Sequence, residues 1–167
     1  MKYCIFVERI FDDETYEKLL RFLKVKSPKK VKLFCLTPAN YYLTVSEQGY
    51  NGTKEELSNL MFARYKNIED MGFKINSHLH LSLVPNKMDQ EALFKESTEW
   101  LKMHDFNPKE IAFGWYCYSY KSLALAALHE LNHFKGRSYY HFHDYETTTQ
   151  LGVVLSNLKH FVMGFKK

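Results

Sequence analysis

Cysteine is scarce in this 167-residue chain, and the three present, Cys4, Cys35 and Cys117, are far apart and set in apolar stretches. An odd number without paired spacing argues against a disulfide framework or a zinc knuckle and fits reduced, buried thiols. No apolar run approaches the roughly 20 residues needed to cross a bilayer, so neither a membrane span nor a membrane partner is expected. The apolar run at residues 3–7 is broken by Glu8 and Arg9, without a small-residue cleavage site. It reads as a first strand, in a chain expected to be cytoplasmic. An excess of one charge is missing too: 23 Lys and Arg against 19 Asp and Glu give +4, with one small lysine cluster at residues 24–32. That balance speaks against a nucleic-acid partner. The chain has no glycine-rich phosphate loop and no internal repeat.

What is present is the composition of an ordinary globular protein, 46% hydrophobic and 25% charged. Its length predicts one domain over residues 1–167 with a sizeable core. Residues 2–10 alternate as a strand, and the leucines that follow at helical spacing predict a helix after 11–15. Residues 31–36 form a second strand closed by Thr37 and Pro38. Residues 39–52 look too irregular for an element and read as a functional loop. Thr53 with Glu56 outlines a capping box, opening a helix to about Met71 that Gly72 ends. A third strand follows, then a helix over roughly 89–104, a strand over 111–118 and a helix over 122–134. A short strand over 138–143, a helix over 148–158 and a strand over 161–165 complete the series. Strands alternating with helices predict an α/β fold of parallel strands joined by right-handed crossovers. The expectation is a single-domain, partly closed (β/α) barrel of about six strands.

The third strand carries the chemistry. In Lys74-Ile75-Asn76-Ser77-His78-Leu79-His80-Leu81-Ser82-Leu83, a period of two sends the leucines to one face and His78, His80 and Ser82 to the other. Two imidazoles at consecutive same-side positions are close enough to share one metal ion. In parallel α/β folds the ligand site lies at the carboxyl ends of the strands. Asp12-Asp13, His78-His80, Gly114-Trp115 and His143-Asp144 all fall near such ends. Carboxylate and imidazole are the donors that hold zinc or a similar divalent ion, so the expected cofactor is a divalent metal, zinc foremost. Its ligands would be His78 with His80 or an aspartate of the Asp12-Asp13 pair. An aspartate there can equally be the N-cap of the first helix.

With these residues in hand, the chain resembles the NodB-like polysaccharide deacetylases, and secondarily the YdjC-type sugar deacetylases. Met71-Gly72-Phe73 leading to His78 looks like the family's glycine-led strand with metal-binding histidines. Phe11-Asp12-Asp13 looks like its first motif, and Gly136 onward, with His141-Phe142-His143-Asp144, like its last. The resemblance implies a metal-dependent hydrolase that removes acetyl groups from an N-acetylated sugar. In it Asp12 would be the catalytic base, Asp13 and His78 metal ligands and His143 the general acid. The chain departs from the family at Ser82, where the second metal histidine normally stands, at Glu14 in place of a glycine, and at Ala112-Phe113-Gly114-Trp115, which lacks the arginine.

Trp115, Tyr116 and Asp144, near the strand ends, are the expected contacts to a carbohydrate substrate, because flat amphipathic rings suit a ligand with one apolar face and several hydroxyls. Two alternatives stand beside this reading. His129-Glu130-Leu131-Asn132-His133 is a literal His-Glu-x-x-His, which on a helix would put two imidazoles on one face beside a glutamate, as in zinc metalloproteases. The chain could also be a catalytically degenerate barrel that binds a glycan or a protein.

Overall fold

The computed structural model describes residues 2–44, 50–81, 87–114, 118–135 and 140–143. The elements are β1 (Tyr3–Val7), α1 (Asp13–Lys24), a 3₁₀ turn (Pro28–Lys30), β2 (Val31–Cys35), α2 (Pro38–Thr44) and α3 (Lys54–Asp70). They continue with β3 (Ile75–Leu79), α4 (Lys87–Met103), β4 (Glu110–Phe113), α5 (Tyr120–Leu128), β5 (Asn132–His133) and β6 (Tyr140–His143). The six strands form one sheet in the order β5-β4-β3-β2-β1-β6, and every pairing is parallel. The alternation read from the sequence therefore gives an α/β fold with a parallel sheet. No helix among the described residues is long and apolar enough to cross a membrane.

Pleating divides the strands cleanly. Odd-numbered Ile5, Val7, Val31, Leu33, Cys35 and Ile75 pack with Leu19, Phe22 and Leu23 of α1 and with Leu57, Met61, Tyr65 and Ile68 of α3. Leu79, Leu81, Ile111 and Phe113 pack with Leu93 and Phe94 of α4 and Ala126 of α5. Even-numbered Cys4, Phe6, Phe34 and Ala112 gather with Phe134 in a separate cluster to which no helix among the described residues contributes. Burial on both faces explains why these strands read as near-continuous apolar runs.

The helix ends follow from local chemistry. Asp12 is the N-cap of α1, its carboxylate accepting from the Thr15 amide at 2.8 Å. The capping box of α3 forms as expected, Glu56 N–H donating to Thr53 Oγ1 at 3.2 Å and Thr53 N–H to Glu56 Oε2 at 2.7 Å. Three helices close with the same C-terminal motif, a residue at positive φ followed by an apolar residue whose amide reaches back over the last turn. In α3 these are Gly72 (φ 90) and Phe73, bonded to Ile68 O; in α4 Asp105 (φ 60) and Phe106, bonded to Leu101 O. In α5 they are Glu130 (φ 59) and Leu131, bonded to Ala126 O.

Several expectations are corrected. The segment read as an irregular loop begins with α2, which Tyr41 anchors in the core at 1% exposure. The fourth strand stops at Phe113, short of Tyr118. The fourth helix runs over Tyr120–Leu128, because the left-handed turn at Glu130 and the buried Leu131 end it, and the next residues pair with β4 as β5. The helix expected over 148–158 and the strand over 161–165 lie outside the described residues.

An L-residue pays roughly 1–2 kcal/mol for a left-handed backbone that glycine adopts freely. Glu130→Gly and Asp105→Gly are therefore expected to raise the unfolding free energy by up to about 1 kcal/mol each, and Gly72→Ala to lower it by a similar amount, in urea melts. A neutral or destabilising Glu130→Gly would contradict this account of the helix end.

Candidate metal centre

β3 is buried along its whole length, polar residues included. Asn76 settles its amide on Leu33 O at 3.2 Å, so that polar group is satisfied by the neighbouring strand. His78 Nδ1 lies 2.9 Å from the carbonyl oxygen of Ala112 on β4. A carbonyl only accepts, so Nδ1 carries the hydrogen and donates it, and the neutral ring keeps its lone pair on Nε2. Burial pushes the His78 pKa below its usual value, outweighing the pull of Glu8 in the other direction, and the neighbouring His80 adds to the fall. His80 is held differently: its backbone N–H donates to Asn40 Oδ1 of α2 at 3.1 Å.

Both rings converge on Glu8, one residue past β1. Glu8 Oε1 lies 3.1 Å from His78 Nε2 and 2.9 Å from His80 Nε2, and the ring centroids of His78 and His80 are 4.7 Å apart, edge to face. The side chains are 14%, 1% and 4% exposed for Glu8, His78 and His80. The three ligand atoms all lie within 4.8 Å of one another. A tetrahedral ion with donors at about 2.1 Å sets those donors about 3.4 Å apart, so small adjustments bring all three into contact with one ion.

The protonation pattern favours such an ion. Glu8 Oε1 is an acceptor, and so is His78 Nε2 once Nδ1–H is committed to Ala112. Two lone pairs at 3.1 Å in a buried place repel, and a divalent cation between them would relieve that repulsion where burial disfavours a proton. Tying the distal imidazole nitrogen to a backbone carbonyl is also how proteins orient metal-bound histidines.

The structure brings His78 and His80 together, on the face opposite Leu79 and Leu81, and adds a carboxylate that the sequence reading did not single out. Asp12 and Asp13 are not part of the group. Asp12 caps α1, and its carboxyl pKa is lowered chiefly by the Thr15 hydrogen bonds. Asp13 opens α1 with an 86% exposed side chain paired to Arg64. The backbone of His143 pairs with Phe6 on β1, two residues before Glu8. Trp115, Tyr116 and Asp144 lie outside the described residues. The His-Glu-x-x-His segment does not lie on a helix: His129 is the C-cap of α5, Glu130 is left-handed and His133 is in β5. Its two imidazoles therefore do not share a helical face, and the protease geometry is absent. A signal for Glu8 was legible in hindsight. It sits at an even position after Cys4 and Phe6, on the pleat phase that β3 uses for its histidines.

Comparison of the chain with protein-family models, with curated proteins and with solved structures returns no match.

Because the folded-state pKa of His78 is depressed, the unfolded chain takes up a proton near pH 6.5 that the folded chain refuses. Metal-free protein should therefore lose stability as the pH falls below about 6.5, until the folded ring itself is protonated. Nitrogen-15 NMR of the metal-free protein should show His78 as a neutral Nδ1–H tautomer that takes up its proton below the usual histidine range. A ring that titrates at or above about 6.5, or a neutral Nε2–H tautomer, would refute the assignment.

Proposed function

We propose that this protein is a divalent-metal hydrolase of the carbohydrate-deacetylase kind, with Glu8, His78 and His80 holding a zinc-type ion inside a partly closed (β/α) barrel. The observation that carries the metal reading is the buried convergence of three donors from two strand ends, with the His78 tautomer set by Ala112 O. One carboxylate oxygen and two imidazoles are a borderline donor set that suits zinc and its neighbours, and three protein ligands leave room for substrate.

Two observations support the barrel. Register runs level from His133 through Ile111, Ser77 and Cys35 to Val7, while Tyr140 is level with Tyr3. In a flat sheet β5 and β6 would stand about 24 Å apart sideways and about 13 Å along the strands, or about 27 Å in all. The seven Cα steps from His133 to Tyr140 reach at most about 25 Å. Curling the sheet removes that conflict. The second observation is a ring contact: Phe34 of β2 and Phe134, just past β5, have centroids 4.5 Å apart across three strand spacings.

The deacetylase reading rests on the resemblance together with the origin of the ligands. A carboxylate from the end of the first strand and histidines from the third are what the resemblance implies, with Glu8 standing in for the aspartate and His80 for the more distant histidine. An ion held by Glu8, His78 and His80 would offer Lewis-acid chemistry and the means to make water a nucleophile near neutral pH. Of this chain's own groups, His143 is assigned the proton to the departing amine, its strand lying beside β1, and an imidazole suits that task near neutral pH. Asp12 is engaged as a helix cap, which favours the second reading, a barrel that binds metal and glycan without turnover.

Metal analysis of protein purified without a polyhistidine tag, followed by acetate release from N-acetylated sugars, separates these. Wild type is expected to take up one equivalent of zinc or cobalt. Glu8→Gln and His78→Ala should weaken uptake by about a hundredfold or more, whereas Asp12→Asn and His129→Ala should not change it. His143→Ala should lower acetate release by about 10²–10⁴ with metal retained. No uptake by wild type overturns the metal reading, and uptake without turnover overturns the deacetylase reading in favour of the binding role.

A further inference from the structure

We propose that Gly114, immediately after β4, is the positioning residue for His80: its missing side chain is what lets the imidazole lie against the sheet and present Nε2 to Glu8. The significance for metal binding rests on the reading above, but the contact itself does not. An ideal Cβ at Gly114 would stand 2.2 Å from His80 Nδ1, 2.5 Å from Cε1 and 2.6 Å from Cγ. All three lie far inside the closest approach that carbon allows, and they span the ring rather than its tip. The glycine is not there for its backbone, since among the described residues Gly72 is the glycine at positive φ.

The ring has little room to yield. Its side chain is 4% exposed, its backbone N–H is tied to Asn40 Oδ1, and its Nε2 is 2.9 Å from Glu8 Oε1. Turning the imidazole away from a new methyl group would carry Nε2 away from Glu8. The two histidines are thus oriented by different means. His78 is held by a hydrogen bond from Nδ1, whereas His80 Nδ1 has no hydrogen-bond partner among the described residues. Packing against Gly114 sets the Nδ1 edge of the His80 ring, where no hydrogen bond does so among the described residues. Outer contacts that orient a ligand typically govern about 10–100-fold in metal affinity.

The test is a double-mutant cycle of Gly114→Ala with His80→Ala, read in two ways. Zinc affinity is measured by competition with a chromophoric chelator, with the cobalt(II) visible spectrum reporting the ligand set. Urea unfolding of the metal-free proteins is measured in parallel. Gly114→Ala is expected to weaken zinc about 10–100-fold, to change the cobalt spectrum and to lower the urea midpoint. In the His80→Ala background the same substitution should leave both affinity and midpoint unchanged, because the ring it strikes is gone. Equal cost in the two backgrounds, or wild-type behaviour of Gly114→Ala, overturns the proposal. Should Gly114→Ala fail to fold, folding of the double variant supports the clash and its failure refutes it. If wild type binds no zinc, the metal reading falls while the unfolding cycle still decides the contact.

Discussion

Period-two alternation inside a sheet buried on both sides is the constraint from which the rest of this structure follows. Each strand must offer helices an apolar face and still leave something on the other, and a one-residue slip would exchange the two sets. In β3 the choice is sharp, because Leu79 belongs under α4 and α5 while His78 and His80 belong to the opposite face, with Glu8. The same phase on β1 puts Cys4, Phe6 and Glu8 in line. The candidate centre is therefore a consequence of register: pairing of β1, β2, β3 and β4 in parallel leaves the donors of two strands no other common place.

That face is polar at its ends and apolar between them. Cys4, Phe6, Phe34, Ala112 and Phe134 fill its middle, and burial holds the Cys4 thiol well above its usual pKa, so it stays protonated. Toward the strand starts, Lys32 and Glu110 pair, with the ammonium also 5.1 Å from the Phe134 ring centroid. Toward the strand ends stand Glu8, His78 and His80. Removing a carboxylate from water costs several kcal/mol unless a positive charge or good donors accompany it. At the first pair the protein supplies its own cation. At the second, His78 Nε2 and His80 Nε2 both face Glu8 Oε1, a grouping whose donors one divalent ion could share.

Much of this was legible in the chain. β-branched and aromatic runs mark β1 and β2, Thr53 and Glu56 mark the start of α3, and the Leu79/His80 alternation marks the split of β3. What escaped notice did so for physical reasons. A lone glutamate after an apolar run looks like the charge that ends a strand, and it is the register of β1 against β3 two strands away that brings Glu8 to His78 and His80. The α5 stop is invisible to propensity because its left-handed residue is Glu130 and not a glycine, its cost met by burying Leu131 against Ala126. For the same reason the His-Glu-x-x-His string suggested a helix that the fold does not make. Asp12 and Asp13 carried the right chemistry at nearly the right position, but α1 needs a cap, and Thr15 and Arg64 take up their carboxylates.

The central claim is that Glu8, His78 and His80 act together as the ligands of one ion. Its most direct measurement is an anomalous difference map at the zinc edge from crystals of untagged protein equilibrated with zinc. The account predicts a single strong peak about 2.0–2.2 Å from His78 Nε2, His80 Nε2 and a Glu8 oxygen, with Nδ1 of His78 still on Ala112 O. A peak at the His129–His133 segment or at a cysteine sulfur, or no peak between the two strand ends, would contradict it.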